Sequence, residues 1–105
     1  MKRITVEMVK EAYAKTGLMP HRGDYFFQYD EGRCACGIGA LTVAAGYPFG
    51  NGEAAGKFEE GFELRYVSGF TNGFDGERAN LFNRDDETYM QGHEDGRAAW
   101  EAVKP

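Results

Sequence analysis

The side chains able to do chemistry are few here, and most stand far apart in the chain. Cys34 and Cys36 are separated by one residue, and in an extended strand both thiols project from the same side. With His21 and His93 they make up a Cys2His2 ligand set of the kind that holds zinc. The spacing is no recognised zinc pattern, and a reduced cysteine more often packs as a small buried hydrophobe. Two core cysteines are therefore expected, with no cofactor. A small metal- or ligand-binding domain using Cys34, Cys36, His21 and His93 is the alternative.

Three other spots invite a chemical reading. Gly37-x-Gly39 before an apolar segment is reminiscent of phosphate-binding turns. Thr42, however, stands where a third glycine would be, and no P-loop lysine follows. Tight turn geometry is the expectation. His93, beside Glu94 and Asp95, has the chemistry of a general acid or base. Adjacent helix residues face apart, so His93 is read as a helix-interface residue. An enzyme would need a site in an aromatic cleft near Tyr66, Tyr89 and His93, and no nucleophile elbow, paired-acid motif or kinase-like loop is present. Arg22-Gly23-Asp24 reads as a turn.

The acidic residues are the remaining candidates. Glu59, Glu60 and Glu63 precede a glycine-rich segment, and Asp75, Glu77, Asp85, Asp86, Glu87, Glu94 and Asp95 cluster after its start. On one shared face they would imitate a run of phosphates and fit a basic groove on a partner protein. The chain carries 17 acidic and 12 basic residues, a net charge of -5. That balance argues against direct nucleic-acid binding, because phosphate contacts need clustered Lys and Arg. The plain alternative is a solvated surface that keeps the protein soluble.

These residues must be held by local elements. Thr5 is placed to cap a first helix carrying Val6, Val9, Tyr13 and Thr16 at helical spacing, closed by Gly17 and Pro20. Residues 25–36 read as a β-hairpin, with Asp30-Glu31-Gly32 as its turn. A short apolar helix follows over 40–45, and residues 53–60 are expected to form one or two helical turns. Tyr66, Phe70 and Phe74 repeat every four residues, with Gly69 and Gly73 on an adjacent strip. A charged connection spans 77–88. Asp86 or Thr88 then caps a last helix from about Tyr89 to Val103, with Gly92 and Gly96 on its small strip. The two Gly-x-x-x-Gly strips predict close packing in a helical hairpin; two units of weak identity, 69–73 and 92–96, are too little to establish a degenerate repeat.

Three phrases carry a resemblance. Cys36-Gly37-Ile38-Gly39-Ala40-Leu41, the stretch 66–76 and the stretch 92–100 together resemble small uncharacterised proteins from bacteria and their phages. The resemblance covers about residues 25–103. It implies a hairpin–helix core followed by a glycine-packed helical pair, and no activity or catalytic residue.

The reading is a helix-dominated α+β fold, about four helices with one small β-hairpin, in a single domain over 1–105. The expected core is Val6, Val9, Tyr13, Phe27, Cys34, Ile38, Leu41, Phe70, Phe74 and Trp100. No apolar run approaches the roughly 20 residues that span a bilayer, and the N-terminus has no signal-peptide hydrophobic region. A cytoplasmic monomer or homodimer away from membranes follows. The expected function is a small acidic, non-enzymatic protein-binding module, with no catalytic residue. Its concrete form is a phage-encoded accessory or inhibitory protein acting on a host defence protein through a basic surface.

Overall fold

The computed structural model describes residues 1–79 and 81–105. Residue 80, inside the charged connection expected over 77–88, lies outside the described residues. Helix α1 (Val6–Thr16) leads into strand β1 (Met19–Pro20), β2 (Phe26–Tyr29) and β3 (Gly32–Ala35). Four more helices follow: α2 (Gly37–Ala44), α3 (Gly52–Glu59), α4 (Leu64–Phe74) and α5 (Glu87–Val103), with a single 3-10 turn at 81–83 before the last. The fold is α+β and helix-dominated as expected, with five α-helices among the described residues where about four were expected. The segment expected to form one or two helical turns does so as α3, eight residues long.

Local chemistry accounts for the boundaries. Thr5 accepts from the Met8 amide at the start of α1, and Gly17 ends that helix in the left-handed region at φ 71°. Asn51 caps α3 and Asp86 caps α5 through side-chain bonds to Ala54 and Tyr89 amides. The hairpin has the expected place, but the sheet has a third strand. β3 is central, antiparallel to β2 and parallel to β1, in the order β1-β3-β2. A two-residue strand ending in Pro20 has no alternation to betray it. Its position is fixed by the His21 amide bonding the Ala35 carbonyl at 3.1 Å and the Tyr13 hydroxyl bonding the same carbonyl at 2.7 Å.

One apolar cluster joins α1, β3, α2, α3, α4 and α5. Val9, Tyr13, Cys34, Ile38, Leu41, Phe70 and Phe74 lie in the buried interior as expected. Phe27 does not: it is 40% exposed, and its neighbour Phe26 turns inward against Phe49 at 5.2 Å. Successive strand residues face opposite sides, so only one of the pair can join the core. Val6 and Trp100 are half-buried at its margin. Ile4, Leu18, Tyr66, Tyr89 and Ala99 are also among the buried residues.

The glycine strips do meet, but not in a hairpin. A Cβ on Gly69 would lie 2.1 Å from the Tyr89 carbonyl oxygen, and one on Gly73 2.0 Å from that of His93. In return, Cβ atoms on Gly92 and Gly96 would each lie 2.1 Å from the Tyr66 and Phe70 oxygens. Positions rise together along both helices, so α4 and α5 run parallel. Each Gly-x-x-x-Gly sits against the other helix's backbone in equivalent positions. The connection therefore travels back along the pair, a distance of about 16 Å for an 11-residue helix.

Candidate partner-binding surface

The parallel pair decides where the acidic residues go. Both helices start at the same end, where Arg65 of α4 forms an ion pair with Asp86, the cap of α5. Residues 60–65 and 85–87 therefore gather there, and Glu60, Glu63, Asp85 and Glu87 are exposed. Leu64 stands out among them at 83% exposed, and Phe82, 96% exposed, lies in the turn that precedes Asp85. Leu64 also borders a groove of about 230 Å³ with Gly56, Glu59, Glu60, Phe62 and Val67. An apolar lining with carboxylates at its rim is suited to a cationic, partly apolar segment.

The other acidic residues lie elsewhere, so the ten do not form one face. Asp75 and Glu77 follow the far end of α4. Asp75 accepts from the Gly23 amide at 3.0 Å, and burial raises its pKa against that bond. Arg22 donates from Nε to the Phe74 carbonyl at 2.9 Å and lies 4.2 Å above the Trp100 ring, pinning the turn at 22–24 to the same end. Glu94 is exposed along α5. Asp95 is committed inward. It receives bonds from Arg3 (2.8 and 3.0 Å), the Tyr66 hydroxyl (2.6 Å) and Gln91 (3.0 Å). Burial pushes the Asp95 pKa up, but these donors outweigh it and leave the carboxyl below its usual range. Glu59 accepts from the Tyr25 hydroxyl, and Asp86 is held low by Arg65 and the Tyr89 amide. Glu59, Asp75, Asp86 and Asp95 are thus engaged within the fold, which leaves Glu60, Glu63, Glu77, Asp85, Glu87 and Glu94 turned to solvent.

The cysteines and histidines are not assembled into a site. Cys34 is in β3, whereas Cys36 precedes α2 rather than continuing the strand. Both are free and buried. Burial pushes the Cys36 thiol up to about 11, so it stays protonated at neutral pH. His21 stacks on Phe27 at 5.3 Å, and His93 bonds the Glu77 carbonyl through Nε2 at 2.7 Å. Among the described residues no group of three or more His, Cys, Asp and Glu is arranged to hold a metal. Gly39 has a steric role: its Cβ would lie 2.0 Å from the Tyr25 carbonyl oxygen. Gly37 and Gly39 thus belong to the first turn of α2 rather than to a tight turn before it, and the missing Cβ of Gly39 lets the β1–β2 connection cross there.

The aromatic cleft that an enzyme reading would need is not formed by Tyr66 and Tyr89. Tyr66 and Tyr89 are each 0% exposed and belong to the interior. His93 instead borders a shallow trough of about 590 Å³ with Glu87, Met90, Gln91, Glu94 and Arg97, all from α5. Residue reasoning passed over Leu64 and Phe82. The available signals were that Leu64 falls outside the Tyr66–Phe70–Phe74 stripe, and that Phe82 is an apolar residue within a charged connection. Among the described residues, no helix is long and apolar enough to cross a membrane. No protein-family model, curated protein or solved structure matches this chain.

Proposed function

We propose that this protein is an acidic, non-enzymatic binding module that docks a basic partner protein on the shared starting end of α4 and α5. The observation that carries this reading is the exposure of Leu64 beside Glu60 and Glu63 at the start of α4, with exposed Phe82, Asp85 and Glu87 on the chain that enters α5. Exposed apolar anchors bury area on binding, and surrounding carboxylates steer a cationic surface and fix its register. An accessory or inhibitory protein that masks a basic groove of a bacterial defence factor is the concrete form we favour.

The test is affinity capture from bacterial lysate, eluted by a salt gradient and compared with the Leu64→Asp, Phe82→Asp double variant. One dominant basic protein, released as salt rises and absent from the variant eluate, is expected. Identical eluates from the two baits would overturn the reading.

A further inference from the structure

We propose that the outer face of the sheet is a docking corner for an arginine side chain of a basic protein partner. Pairing of Met19 and Phe27 with Cys34 puts all three on one face, and Tyr29 joins them two residues along β2. The opposite face, with Phe26 and Ala35, meets the core. Cys34 is 2% exposed, beneath a layer in which Met19, Phe27 and Tyr29 remain 42%, 40% and 44% exposed.

The rings form a corner rather than a flat layer. His21 stacks on Phe27 with centroids 5.3 Å apart and planes 24° from parallel. Tyr29 stands against that stack, 4.5 Å from Phe27 at 53° and 6.1 Å from His21 at 77°. Rings in mutual contact at such angles leave their outer faces and edges to solvent, and a planar guanidinium stacks on an exposed face with its charge near the neighbouring ring.

Charge selects the occupant. The Asp24 carboxylate lies 3.4 Å from His21 Nε2 and is 61% exposed, and the exposed turn residues Asp30 and Glu31 directly follow Tyr29. The chain already covers other rings with its own cations: Lys2 over Phe62 at 4.6 Å, Arg22 over Trp100 at 4.2 Å and Arg33 over Phe49 at 4.8 Å. Among the described residues, no cation of this chain covers the His21–Phe27–Tyr29 corner. A nucleobase would also stack there, but the three carboxylates repel its phosphates.

The inference rests on the reading of a basic partner and is tested separately from the α4–α5 end. An arginine-rich peptide, its citrulline counterpart and an oligothymidylate are titrated while NMR shifts are followed. Saturable shifts centred on His21, Phe27 and Tyr29 with the arginine peptide are expected. Citrulline should weaken binding about tenfold, as should Phe27→Ala with Tyr29→Ala. The Asp30→Asn, Glu31→Gln double variant leaves the rings in place and should weaken binding severalfold, more so at low salt. Equal binding of the citrulline peptide, or tighter binding of the oligothymidylate, would overturn the proposal. Shifts confined to the Leu64 end would also remove the corner while leaving the protein-binding reading intact. Corner binding with identical lysate eluates would do the reverse.

Discussion

At the scale of single residues, Asp95 and Asp75 are held by opposing forces. Asp95 ties Arg3, Tyr66 and Gln91 together, and Tyr66 in turn accepts from the Ile4 amide at 2.7 Å. Its folded-state pKa is depressed, so its stabilisation is present above the unfolded carboxylate range and is lost as pH falls through the folded value. Asp95→Asn should cost about 1–3 kcal/mol at pH 7, with the deficit shrinking below about pH 4. Asp75 has the reverse sign. Its raised pKa means ionisation opposes folding at neutral pH, a penalty relieved as pH falls through that value. Asp75→Asn keeps an oxygen to accept from Gly23 and should raise the melting temperature at pH 7, with the gain gone near pH 3. Thermal melts of both variants across this range check the two signs. Phe26 and Phe27 mark what single residues conceal. Both suit a strand, and alternation says that they part, but a one-residue shift of register exchanges their faces. The Thr5 cap, Gly17 stop and Asp86 cap were legible because each acts on its immediate neighbours.

At the scale of elements, the glycine strips announced a close contact but not its direction. Gly-x-x-x-Gly reads alike from either end, so the motif fits parallel and antiparallel mates equally. A clue lay in the connection, since neighbours in a helical hairpin usually need only 2–8 residues. Parallel helices also align their dipoles, which is unfavourable side by side, and charges at both ends offset it. Asp86 sits at the start of α5, and Arg22 binds the last carbonyl of α4. Helical glycines should accordingly divide into two classes. A Cβ at Gly56 of α3 meets nothing within 4 Å, so Gly56→Ala should stabilise by about 0.5–1 kcal/mol. At Gly73 the Cβ would enter the His93 backbone, so Gly73→Ala should cost about 1–3 kcal/mol despite better helix propensity, and Gly73→Leu more. Equal melting shifts for Gly56→Ala and Gly73→Ala would contradict the packing described above. The candidate surface was only half legible for the same reason. The sequence supplied the carboxylates, but which of them gather depends on the helix direction.

At the scale of the whole molecule, the continuous apolar cluster predicts cooperative unfolding of one domain. Trp100 reports on the α4–α5 pair through its contact with Phe74 at 5.3 Å, while far-UV circular dichroism reports on all helices. Their denaturation midpoints should coincide, and an earlier tryptophan transition would mean that the pair opens apart from the rest. A parallel pair also dictates an order of events. No tight turn can zip α4 onto α5 from one end. The first backbone contact between Gly69 and the α5 chain instead closes a loop of roughly two dozen residues, whose entropy is lost before packing repays it. Until then the Tyr66–Phe70–Phe74 stripe waits in water with its glycine channel open. The slowest step of folding should be this closure, and the transient species before it is the one most exposed to capture by another chain.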